Sequence, residues 1–150
     1  MDKHLSTQFD AELSNISTRV LEMVGLVEQQ VAGAIEALSS FSESHATQVL
    51  KTEERVNQIE VDIDRDLNNI IARRQPTARD LRLLIGVSKT LGNLERAGDE
   101  AARIARTTHR LISSGTHGRL FPTNAMSLEA NLAIASLRRA LDAFARLDVN

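Results

Sequence analysis

The chain contains no cysteine, tryptophan or tyrosine, and only two prolines and four phenylalanines among its 150 residues. Without cysteine, a disulfide scaffold, a thiolate nucleophile and a thiolate-ligated zinc are excluded. The four aromatics, Phe9, Phe41, Phe121 and Phe144, are too few for a base-stacking platform or a barrel core. Neither sign of charge dominates. Eighteen Lys and Arg oppose 20 Asp and Glu, and a net charge of −2 gives no general attraction to nucleic acid or anionic lipid. Apolar runs are short, such as Leu83-Leu84-Ile85, far below the ~20 residues a bilayer requires. The polar, mixed-charge amino terminus MDKHLSTQFDAEL lacks the apolar core of a signal peptide. A cytoplasmic protein with no membrane insertion and no nucleic-acid partner is expected. What is present, 42% apolar and 25% charged residues, is the composition of a single globular domain.

The two prolines are punctuation, and the stretches between them read as helix. From about Leu5 to Phe41, apolar residues recur every three or four positions (Leu13, Ile16, Val20, Met23 or Val24, Val27, Val31, Ala34 or Ile35, Leu38), one face of an amphipathic helix. Ser42-Glu43-Ser44-His45 offers a turn and an N-cap. A second helix is predicted from about His45 to Arg74, with Val49, Val56, Ile59, Ile63, Leu67, Ile70 and Ile71 inward. After Pro76, Thr77 with Asp80 reads as a capping box for a third helix. Its stripe, Leu84, Val87, Leu91, Leu94, Gly98, Ala101, Ala105 and Thr108, alternates in threes and fours, the spacing of coiled-coil-like packing. It ends near Ser113–Gly118, and a fourth helix starts near Thr123 to Ser127. The expected fold is all-α: an antiparallel three-helix bundle over 1–118, followed by a long fourth helix over 119–150. Ala34-Ile35-Glu36-Ala37-Leu38 reads against Ala140-Leu141-Asp142-Ala143-Phe144, as though a repeat of about a hundred residues begins again at the fourth helix.

Enzymatic chemistry finds little support. The four histidines, His4, His45, His109 and His117, have no Glu three positions before them, and H-E-x-x-H is absent. No phosphate loop, dinucleotide fingerprint or nucleophile elbow occurs. What remains is carboxylate pairing. Glu60 with Asp64, and Glu95 with Asp99, stand four apart on one helix face and suit a hard cation held through oxygen. The frequency of such pairs matches composition, so only placement argues for them. Glu60 and Asp64 continue an edge through Glu53 and Asn57, and Glu95 and Asp99 continue a row of small residues, Ser88, Gly92 and Ala102. In an antiparallel helix pair the two rows converge into one acidic patch. A solvated acidic face with Arg65 as local partner is the plainer alternative.

The run NQIEVDIDRDLNNIIARRQPTARDLRLLIGVSKTLGNLERAGDEAARIAR closely resembles the first repeat of the PhoU family of bacterial phosphate-signalling proteins. The matches are strongest in IIARRQPTARDLRL and LERAGD, and LDAFARLDVN resembles the end of the first helix of the family's second repeat. The resemblance implies two three-helix repeats, of which this sequence holds the first and begins the second. It implies carboxylate motifs that hold iron or zinc clusters in some members, mapping here onto Glu60, Asp64, Glu95 and Asp99, with Asn57 and Glu100 as neighbours. Manganese or magnesium suits the same oxygen donors.

The implied function is regulatory, not enzymatic. It is a negative regulator of the phosphate-starvation response that couples the Pst transporter's ATPase subunit to a PhoR-type sensor histidine kinase. The Arg73, Arg74, Arg79 and Arg82 cluster around Pro76 is a candidate docking surface. A homodimer is expected, because the fourth helix's apolar face (Leu132, Leu137, Leu141, Phe144) needs partners. A metal store and a purely structural dimerisation module remain as alternatives.

Overall fold

The computed structural model describes residues 2–115 and 123–146, all in four helices and their short connections. Helix α1 spans Asp2–Ser40, α2 Glu43–Arg74, α3 Ala78–Ser113 and α4 Thr123–Arg146. Three of them pack on one another in pairs, α1 on α2, α2 on α3 and α1 on α3, and α4 lies along α1. This is the expected bundle. The expected boundary at 118–119 and His117 lie outside the described residues.

The first two connections are tight because each helix stops where the chain turns left-handed. Phe41 adopts φ 50°, which lets the Ser42 N–H reach back to the Ala37 carbonyl at 3.0 Å. Ser42 then caps α2, its hydroxyl accepting from the His45 backbone N–H at 3.3 Å and meeting His45 Nδ1 at 2.8 Å. His45 is thus a capping residue, and α2 starts two residues earlier than the periodicity predicts. Gln75 turns left-handed at φ 46° and donates its N–H to the Ile71 carbonyl, and Pro76 forbids continuation. The capping box at the start of α3 does not form: the Thr77 hydroxyl donates to the Asp80 carboxylate at 3.0 Å, and the Thr77 side chain caps no backbone N–H. A charged carboxylate within reach is a strong acceptor, and it takes the hydroxyl for itself.

The core divides along its length. The larger part holds Ile16, Val20, Met23, Val24 and Val27 of α1, Val56, Ile59, Ile63, Leu67 and Ile70 of α2, and Leu84, Val87, Leu91 and Leu94 of α3. The smaller part is built of Ala34, Ala37, Ala46, Val49, Ala101 and Ala105. Between them sits Gln30, fully buried, with neither carboxamide atom hydrogen-bonded among the described residues. Gly98 of α3 makes room for it: a Cβ there would stand 2.8 Å from Gln30 Oε1. All eight predicted inward positions of α3 are buried. Leu13, Val31, Ile35 and Ile71 are only half-buried, because they lie at the margin of their stripes.

Ion pairs join the helices along their edges. On the α1–α2 side, Arg19 binds Asp66 (2.6 Å), Arg55 binds Glu22 (2.7 Å) and Arg74 forks onto Glu12 (2.8 and 3.1 Å). Arg106 ties α3 to Glu53 of α2 at 2.9 Å, and Arg138 ties α4 to Glu28 of α1. On α4, Leu137 packs against the main core while Leu128 and Leu132 are exposed. The Leu141 and Phe144 side chains lie outside the described set.

Candidate acidic site between two helices

The α2–α3 seam gathers carboxylates because both helices carry them at i,i+4 on the edge of an apolar stripe, and the antiparallel packing sets the edges side by side. At one end the Glu53–Arg106 pair closes the seam. Two turns further along, Glu95 stands beside Asp99 of its own helix and Glu60 of α2, and no lysine or arginine pairs with any of the three among the described residues. The predicted convergence of the two rows is therefore present for Glu60, Glu95 and Asp99. Asp64 lies one turn on, exposed, accepting from the Asn68 side-chain amide at 3.0 Å and lining a shallow surface depression with Glu60. Arg65 lines the same depression but pairs with Asp62 at 2.8 Å, and with neither Glu60 nor Asp64.

The cost of the arrangement shows in Glu95. Its carboxyl is held above the ordinary carboxylate range, first by desolvation in the seam and then by the negative charges of Asp99 and Glu60. A hydrogen bond to Asp99 favours its protonated form further, and Arg96 pulls weakly the other way. A raised pKa in the folded state means that Glu95 contributes stability below the ordinary carboxyl pKa, and that this is lost as pH rises through the raised value. In the presence of a chelator, Glu95→Gln is therefore expected to be more stable than wild type near pH 7 and to match it below about pH 4. Urea unfolding at the two pH values checks this, and equal stability at neutral pH would contradict it.

All donors here are oxygens, the set that suits a hard cation. Among the described residues no three His, Asp or Glu side chains already converge on one point fit for an ion. The two outlying candidates stand apart: Asn57 is exposed on α2, and Glu100 points outward and pairs with Arg103 at 3.1 Å.

The arginine cluster around Pro76 divides. Arg74 is turned inward, its guanidinium forked on Glu12 and 5.8 Å from the Phe9 ring centre, so it braces α2 against α1. Arg73 is exposed, donates to the Asn69 carbonyl and pairs loosely with Glu12 at 3.7 Å, and Arg79 and Arg82 are exposed without an ion pair among the described residues. Sequence reading missed Gln30 and the Glu53–Arg106 closure. A polar residue on an apolar stripe is the only signal for Gln30, and the closure depends on which helix faces which.

Comparison with known proteins supplies the context. The sequence profile of the PhoU domain matches residues 20–108. A Burkholderia "phosphate-specific transport system accessory protein PhoU homolog" is 47% identical over 148 residues, 99% of this chain and 63% of its own length. The Escherichia coli "phosphate-specific transport system accessory protein PhoU" is 42% identical over 150 residues, all of this chain and 61% of its own. The crystal structure of PhoU from Pseudomonas aeruginosa superposes with a TM-score of 0.86 at 40% identity, covering 93% of this chain and 66% of that one. The chain thus spans about three fifths of the length of these relatives.

Proposed function

This chain belongs to the PhoU family, and on that basis we propose that it is a regulatory accessory protein of phosphate-specific transport, not an enzyme. The observation that carries the reading is identity above 40% across essentially the whole chain to relatives so named. In this reading it acts in the cytoplasm as a homodimer. It couples the Pst transporter's ATPase subunit to a PhoR-type sensor kinase and represses the phosphate-starvation response when phosphate is plentiful. Among the described residues no helix is long and apolar enough to cross a membrane, which accords with a partner that meets the transporter from one side. A long bundle braced by ion pairs along its α1–α2 and α2–α3 seams suits an adaptor, because it holds separate surfaces at fixed separation.

The same reading assigns a cation, whether iron, zinc, manganese or magnesium, to Glu60, Glu95 and Asp99, with Asp64 one turn away. Support comes from the donor chemistry and from the raised Glu95, whose repulsion a cation would discharge. The remaining exposed arginines at the α2–α3 turn, Arg73, Arg79 and Arg82, are the docking candidates on this account. Pull-down of purified ATPase subunit and kinase cytoplasmic domain tests it. Capture of either partner, weakened by Arg79→Glu/Arg82→Glu, is the expected result. Failure of both to bind this chain and a full-length relative alike would overturn the adaptor reading.

A further inference from the structure

The inward stripe of α3 follows a heptad, with Leu84, Leu91, Gly98 and Ala105 at one inward position and Val87, Leu94, Ala101 and Thr108 at the other. The position facing furthest from the core then falls on residues 82, 89, 96, 103 and 110. Every one is a cation: Arg82, Lys89, Arg96, Arg103 and Arg110, all exposed. With 18 Lys and Arg in 150 residues, composition alone would put fewer than one of the five there. The row runs ~42 Å, with a charge every ~10.5 Å. Arg79 lies beside its start, and Glu100, paired to Arg103, is the one acid in the neighbouring outward row of Arg79, Gly86, Asn93, Glu100 and Thr107.

A generic solvated face does not look like this in the same molecule. The outward face of α2, Thr47, Lys51, Glu54, Gln58, Val61, Arg65 and Asn68, mixes both signs, and that of α1, Thr18, Gln29, Ala32 and Glu36, has one acid and no cation. The near-neutral whole conceals a strong separation: cations crest α3 while the uncompensated carboxylates lie on its α2 flank.

We propose that the outward face of α3 is an electrostatic docking surface for an anionic lipid bilayer. A protein interface along the whole length of this ridge, beyond the α2–α3 turn, needs a desolvated apolar or aromatic centre, and of the exposed large apolar side chains only Ile85 belongs to α3. Adsorption to anionic headgroups needs none, only several Lys and Arg brought within a Debye length of the surface. A flat bilayer can meet a convex ridge along its whole length.

The test is co-sedimentation of the whole chain with phosphatidylcholine vesicles, with and without phosphatidylglycerol. Binding to the anionic vesicles alone is expected at low salt, falling at least tenfold as salt rises to physiological strength. Arg82→Gln/Lys89→Gln/Arg96→Gln/Arg103→Gln/Arg110→Gln is expected to bind at least tenfold more weakly, with helicity retained by circular dichroism. Should that variant lose helix, Lys89→Gln/Arg96→Gln/Arg103→Gln gives a partial loss in its place. Lys51→Gln/Arg65→Gln/Arg139→Gln, cations away from the row, is expected to bind as wild type does. The proposal is overturned by absence of binding at low salt, by an equal loss in the control variant, or by ridge-dependent capture of duplex DNA or polyglutamate tighter than of vesicles. The vesicles hold no protein, so the outcome is independent of whether transporter or kinase binds.

Discussion

Ile63→Ala is expected to cost about 2–5 kcal/mol of folding stability, as large a loss as core truncation in this bundle gives. Ile63 is fully buried in the larger core cluster, between Glu60 and Asp64 on the helix that carries half of the acidic seam. Its removal leaves a cavity at the α2–α3 contact, which close-packed neighbours fill only in part. For a chain of this length each kcal/mol lowers the melting temperature by about 2–4 °C, so calorimetry reads the effect directly. The same truncation at Val49, in the alanine-built cluster, removes less volume and is expected to cost about half as much. Equal losses at the two positions would contradict the division of the core into a strong and a thin part.

The opposite sign is expected at Gln30. Both carboxamide atoms are buried without hydrogen-bond partners, and each such group carries a desolvation penalty of about 1–3 kcal/mol. Methionine has nearly the same length and shape with no amide to satisfy. Gln30→Met is therefore expected to stabilise the fold by about 1–3 kcal/mol in urea unfolding. Leucine is a poorer test, because its branch would crowd the space that Gly98 leaves. A destabilised methionine variant would mean that the carboxamide is satisfied in solution and serves to hold α1 and α3 in register.

These two residues also mark what was legible in the sequence. Ile63 belongs to a stripe whose three-four spacing by itself identifies it as core, and the whole α3 stripe reads equally well. Helix packing of the three-four kind leaves its period in the apolar residues, so element order and inward faces follow from it. Gln30 does not follow, since a polar residue within a stripe gives no sign of whether it is buried or turned aside. Spacing placed Glu60 and Asp64 on one edge, and Glu95 and Asp99 on another. That the edges meet follows from the same spacing in an antiparallel pair, whereas Asp64 at the margin and Arg65 drawn to Asp62 are results of local side-chain competition. The Thr77–Asp80 pattern was present in the sequence, and the two side chains bonded each other instead of capping the helix.

In the seam between α2 and α3, Glu60, Glu95 and Asp99 meet, and no lysine or arginine pairs with them among the described residues. Elemental analysis of the purified chain beside its Glu95→Ala/Asp99→Ala variant tests this most directly. Protein must be quantified by amino-acid analysis, since Trp and Tyr are absent. Iron, zinc, manganese or magnesium at a fixed ratio to the chain, lost in the variant while its helicity is retained, is the predicted result. A folded wild type that carries no metal, and takes up none on titration, would contradict it.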